Sequence, residues 1–111
     1  MSDDLEKKLL AGAAYRIFMD ELRRHLDATA ALFASTDWSP EQLQEASGRF
    51  HTIRGGAGFF RFTKLASLAG ELETLLGGNA PEALANDLEL LRSLSNDLRL
   101  EAESLPPPSP A

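Results

Sequence analysis

Apolar residues recur along most of this chain at spacings of three and four, the period of helices that bury one face. Tyr15, Phe18, Leu22, Leu26, Ala30 and Phe33 form the first stripe and predict a helix from about Asp3 to Ala34. Ser2 is its expected N-cap, Asp3, Asp4 and Glu6 suit the positive end of its dipole, and Gly12 marks a weak point near its start. Ser35 to Trp38 reads as a turn. Ser39-Pro40-Glu41-Gln42 is a start signal: an N-cap, a proline at the first helical position and a capping-box glutamine. The helix it opens carries Leu43, Ala46, Phe50, Ile53, Ala57 and Phe60 on one face and should break between Gly58 and Phe62. Thr63 is the expected cap of a third helix that points Leu65, Leu68, Leu72, Leu75 and Leu76 inward. Gly77-Gly78-Asn79 should end it in a left-handed cap. Pro81 then opens a fourth helix with Leu84, Leu88, Leu91 and Leu98 on one face.

Four amphipathic helices with short connections predict an all-α, antiparallel up-down-up-down four-helix bundle over residues 1–104. Residues 105–111 contain Pro106-Pro107-Pro108 and Pro110, so they read as an extended linker or tail. Such a tail suggests a domain taken from a longer polypeptide. No strand candidate and no internal repeat interrupts the helical pattern.

The 111 residues suffice for one modest core. A formal net charge of −6 disfavours broad nucleic-acid or anionic-membrane binding. The absence of cysteine excludes disulfides and thiolate metal sites. No apolar run approaches the ~20 residues of a membrane span, and the start of the chain is acidic where a secretory signal is basic. A cytoplasmic, monomeric bundle is the expectation.

The candidate chemistry lies in His51-Thr52-Ile53-Arg54-Gly55-Gly56-Ala57-Gly58. On a helical wheel His51 falls roughly 130° from the centre of the core stripe, on the solvent side. Gly48, Gly55 and Gly58 cluster around it, and Arg54 lies nearer the border of the core face. A glycine inside a helix costs up to about 1 kcal/mol relative to alanine. Stability does not explain keeping several on an exposed face, whereas close approach by another backbone does. The alternative, that Gly55-Gly56 merely ends a helix, leaves Ala57 and Phe60 continuing the stripe for no purpose.

This motif resembles the signature of histidine phosphotransfer (HPt) domains, and is especially similar to the N-terminal phosphotransfer domain of chemotaxis-type histidine kinases. The resemblance implies that His51 is the phosphoacceptor. It implies too that Glu73, twenty-two residues downstream in Ala69-Gly70-Glu71-Leu72-Glu73, hydrogen-bonds the imidazole. The cation three residues after the histidine is usually lysine; here Arg54 keeps the charge near phosphate. Gly70 stands where chemotaxis-type kinases often place a second histidine, and Arg61 stands where a glycine is common. With Glu73 on Nδ1–H, Nε2 keeps its lone pair for phosphorus. The sequence has no Walker-type loop and no carboxylate cluster suited to Mg²⁺. The expected role is therefore a phosphocarrier, with Mg²⁺ and ATP supplied by partner domains. The expected partners are a response-regulator receiver domain and a histidine kinase ATP-binding domain.

Arg49, Arg54, Arg61 and Lys64 suggest a basic patch that would attract an acidic receiver, with Arg61 and Lys64 among the partner-binding residues. His25 reads as a partly covered histidine at the border of the first stripe. Phe59, Phe60 and Phe62 read mostly as core, with room for one exposed ring to help dock a partner. A helical-bundle adaptor that is never phosphorylated is the competing function. A metal-binding bundle lacks the inward Glu-x-x-His pairs it would need.

Overall fold

The protein is described here by a computed structural model covering residues 12–78 and 81–108. The described residues are helical, with no strand among them: α1 is Ala13–Leu32, α2 Pro40–Phe59, α3 Thr63–Gly77, α4 Pro81–Ala85 and α5 Leu88–Glu103. Pairs of side chains fix the helix directions. Phe18 of α1 lies beside Gly56 of α2, and His25 beside Arg49. Ser47 meets Glu73 and Arg54 meets Gly70 between α2 and α3. Lys64 of α3 pairs with Glu101 of α5, and Asp27 of α1 with Arg99. Between α1 and α2, and between α2 and α3, one number rises as the other falls, so these two pairs of neighbours run antiparallel.

The core follows the predicted stripes with one change of register. Tyr15, Phe18, Leu22, Leu26 and Phe33 are buried, but Thr29 is buried in place of the expected Ala30. Its hydroxyl is satisfied within the helix by the carbonyls of His25 and Leu26, at 2.9 and 3.2 Å, so a polar residue enters the core without an unpaired group. Trp38, read as part of a turn, is also core: its indole N–H donates to the Leu32 carbonyl at 2.9 Å. Arg92 of α5 donates to the Phe33 carbonyl at 3.0 Å, a cation at the carbonyl end of α1.

Several expected boundaries move. The start at Asp3 and its Ser2 cap lie outside the described residues, as does Asn79. Within them α1 opens at Ala13 after an extended Gly12, and it ends at Leu32 rather than Ala34. The Ser39 capping box forms as predicted, with Gln42 N–H donating to Ser39 Oγ at 3.1 Å and Ser39 N–H to Gln42 Oε1 at 2.9 Å. Phe62, not Thr63, is the N-cap of α3, without a side-chain cap bond. Its ring packs against Tyr15, Phe18 and Phe60, which sets the reversal one residue earlier than the threonine suggests. Gly78 caps α3 in the right-handed region, not the left-handed one. The single expected fourth helix is split. Asn86 and Asp87 N–H donate to carbonyls three residues back, at 3.3 and 2.9 Å, making a tight turn between α4 and α5.

The chain reverses between α2 and α3 through a Schellman motif. Phe62 N–H donates to the Ala57 carbonyl at 2.8 Å and Arg61 N–H to the Gly58 carbonyl at 3.1 Å. Arg61 occupies the left-handed position, with φ 64°, where glycine is the usual occupant. Beyond α5 the chain stays on the bundle. Leu105 packs on the core, and the Tyr15 hydroxyl donates to the Pro106 carbonyl. No described helix is long and apolar enough to cross a membrane.

Candidate functional site

His51 stands exposed in the middle of α2 because the α2 stripe turns Phe50 and Ile53 into the core and leaves the two residues between them, His51 and Thr52, outside. Its side chain is 63% exposed. Glu73 reaches it from α3, and its Oε2 lies 2.8 Å from His51 Nδ1. The two helices approach closely along a seam of small side chains. A Cβ on Gly77 would lie 3.4 Å from Ser47 Oγ, and a Cβ on Gly70 would lie 3.3 Å from Arg54 Cδ. The Ser47 hydroxyl also donates to the Glu73 carbonyl at 3.3 Å.

Arg54 completes the cluster. Its Nη2 lies 3.2 Å from His51 Nδ1, and its Nε lies 3.3 Å from Glu73 Oε1. Both the carboxylate and the guanidinium thus converge on one ring nitrogen. Only one can hydrogen-bond it in a given tautomer, since a protonated Nδ1 donates and a bare one accepts. The shorter contact and the carboxylate's charge favour Nδ1–H donating to Glu73, which leaves the lone pair on Nε2. Glu73 Oε1 is buried and makes no hydrogen bond, so the Arg54 charge compensates it without aligned donor geometry. The Glu73 side chain is only 22% exposed, so this pair is less screened than one on open surface.

The glycines near the ring divide into two kinds. A Cβ on Gly48, Gly55 or Gly58 would meet nothing within 4 Å, and all three residues are exposed. A Cβ on Gly56 would lie 2.7 Å from two ring carbons of Phe18. Gly56 is therefore a packing residue at the α1–α2 contact, while the other three have no internal reason to lack a side chain. Next to them a groove of about 260 Å³ runs between α1 and α2, lined in part by Phe18, His25, Thr52 and Gly56. Ile17 and Phe59 stand at it 56% and 65% exposed. Phe59 is thus the exposed ring among the three phenylalanines, while Phe60 and Phe62 are partly buried.

The basic patch is dispersed. Arg49 pairs with Glu45 at 3.0 Å and meets His25 Nδ1 at 3.1 Å. Lys64 pairs with Glu101 at 3.6 Å. Arg61 and Lys64 lie at the far end of the α2–α3 hairpin. At 1.5 Å rise per residue that is roughly 15 Å along the helix axis from His51. Among the described residues no group of three or more His, Asp or Glu side chains is disposed to hold a metal ion. The His25 ring is held below its ordinary protonation range, first by burial and then by the Arg49 guanidinium. A guanidinium can only donate, so the His25 Nδ1 lone pair accepts from Arg49.

The sequence does not foretell the part played by Gly70. Its missing side chain had meaning only as an absent histidine, because nothing in the spacing shows that Arg54 crosses α3 at that point.

The family model for the Hpt domain matches residues 13–104, which is most of the chain. The protein belongs to the Hpt domain family, whose members are phosphocarriers with a histidine phosphotransfer role in phosphorelays and no ATP site of their own. Members of this family interact with kinases and receiver domains. Searches of curated proteins and of solved structures return no match.

Proposed function

We propose that this protein carries a phosphoryl group on His51 Nε2, between a receiver aspartate or a kinase ATP-binding domain and a second receiver domain. The observation that carries the reading is the exposed imidazole with its Nδ1 held by Glu73 at 2.8 Å. As the Nε2 lone pair attacks phosphorus, an N–P bond forms and the bond from phosphorus to the donor oxygen breaks. The donor leaves as the aspartate carboxylate or as ADP. The ring gains positive charge in that step, and the Glu73 carboxylate stabilises it through the Nδ1 proton, which stays in place. Arg54 places a second charge beside the ring for the phosphoryl oxygens. Mg²⁺ and ATP come from the partners.

The partner approaches over Gly48, Gly55 and Gly58, where no side chain holds its backbone away. The groove beside Phe59 and Ile17 offers it an apolar foothold. The bundle is read as up-down-up-down, with α4 a short prelude to α5, and the protein as a cytoplasmic module. Kinship with the N-terminal domains of chemotaxis-type kinases rests on the twenty-two-residue spacing from His51 to Glu73.

Incubation with a receiver charged by a small phosphodonor, or with a kinase ATP-binding domain and ATP, should place an acid-labile label on the protein. The label should be absent from His51→Gln and unchanged in His25→Gln. If binding to the partner and the cellular response survive His51→Gln undiminished, the protein is an adaptor and the phosphocarrier reading fails.

A further inference from the structure

We propose that Gly70 and Arg54 act as a clasp that aims Glu73 at the imidazole: the missing side chain at residue 70 seats the Arg54 stem across α3, and the seated guanidinium holds the carboxylate. Both are positioning residues in this respect, and the inference rests on the phosphocarrier reading. Gly70 lies in the interior of α3 with a negative φ, so conformational freedom does not call for glycine there. In that setting glycine is about 1 kcal/mol worse than alanine. What the position does offer is space. A Cβ would sit 3.3 Å from Arg54 Cδ, and a longer side chain would take the path of the arginine stem.

The contact matters because of what Arg54 touches at its far end. Glu73 Oε1 is buried and has no hydrogen bond, and the Arg54 Nε at 3.3 Å is the charge placed against it. A buried carboxylate oxygen with no partner is unfavourable, so without that charge the carboxylate gains by turning Oε1 towards water. Turning it takes Oε2 away from Nδ1. The Nδ1–H tautomer then loses the acceptor that selects it. The guanidinium is engaged with Glu73 before any phosphoryl group is present, so its first task is to order the acceptor.

The test uses Gly70→Leu, Arg54→Gln and the double variant, read by ¹⁵N chemical shifts of the His51 ring at a pH where it is neutral, and by the rate of phosphoryl uptake from a charged receiver. Wild type should show mainly the Nδ1–H tautomer. Each single variant should mix the tautomers and slow uptake about tenfold, and the double variant should do no worse than either single one, as expected for residues acting as one unit. Gly70→Ala covers the case in which leucine prevents folding. It should raise the thermal midpoint through helix propensity yet shift the tautomer the same way by a smaller amount. A glycine with only a structural role would give the first effect without the second. Unchanged tautomer populations in the Gly70 variants that fold, or losses that multiply in the double variant, overturn the clasp. If wild type accepts no phosphoryl group from any donor, the phosphocarrier reading fails, and the ring shifts alone still decide the clasp.

Discussion

Replacing each glycine of α2 by alanine should split the set in two, because the same chemical change meets open space at three positions and an aromatic ring at the fourth. At Gly48 and Gly55 the new methyl touches nothing within 4 Å. The expected result is a gain of about 0.5–1 kcal/mol each from helix propensity. At Gly58, in the last turn of a helix that ends at Phe59, the gain should be smaller. At Gly56 the methyl would lie 2.7 Å from Cδ1 and Cε1 of Phe18. That ring cannot swing away easily: it is 9% exposed, with the rings of Phe60 and Phe62 centred 5.2 and 6.2 Å from it. Overpacking of this kind costs about 1–3 kcal/mol. Set against a propensity gain of about 1 kcal/mol, Gly56→Ala should lose about 1 kcal/mol net. Thermal unfolding by circular dichroism should show a midpoint lowered by roughly 4–8 °C for Gly56→Ala and raised by up to a similar amount for Gly55→Ala. The three open-site variants should also exchange phosphoryl groups more slowly with a receiver despite their stability. Equal midpoints for Gly55→Ala and Gly56→Ala would refute the distinction between a packing glycine and a docking glycine.

Arg61→Gly removes a left-handed arginine with φ 64° from the Schellman turn and should stabilise the domain. The relief of about 1–2 kcal/mol is partly offset by the larger entropy of the unfolded glycine chain, leaving roughly 0.5–1 kcal/mol in urea unfolding; a loss of stability would contradict the conformation. Glu73→Gln keeps an acceptor near Nδ1 but removes its charge, and phosphoryl uptake by His51 should fall about 10–100-fold, the scale on which losing a histidine's orienting partner acts. Uptake at the wild-type rate would show that the carboxylate is a bystander. The lowered protonation of His25, caused by burial and by Arg49, with Arg24 adding to it and Glu21 opposing it, makes the folded state prefer the neutral ring. Its contribution to stability is therefore complete above the ordinary value of about 6.5 and is lost as pH falls from there through the folded value. Urea midpoints measured between about pH 7.5 and 5 should drop less steeply for His25→Gln than for the wild type.

Much of this protein is legible in one dimension because helices repeat every 3.6 residues and fold by burying one stripe. The Leu43-to-Ala57 stripe, the Ser39 cap and the solvent-facing position of His51 follow from local spacing and local hydrogen bonding, and each holds in the folded chain. Other features depend on distance across the bundle. Thr29 replaces Ala30 in the core because a hydroxyl that bonds its own helix can be buried. Asn86-Asp87 interrupts what the leucine spacing joins into one helix. Gly56 and Gly70 look alike in the sequence as residues without side chains. Only the approach of Phe18 from α1 makes the first a packing site, and only the path of Arg54 over α3 makes the second a seat. Arg61 and Lys64 are close to His51 in number but distant along the hairpin, because a helix separates its ends in proportion to its length. The order of residues thus determines which faces are apolar, where α2 begins and which ring stands exposed. Which carboxylate meets that ring, and what keeps it there, depends on contacts between separate helices, and those exist only once the helices have packed.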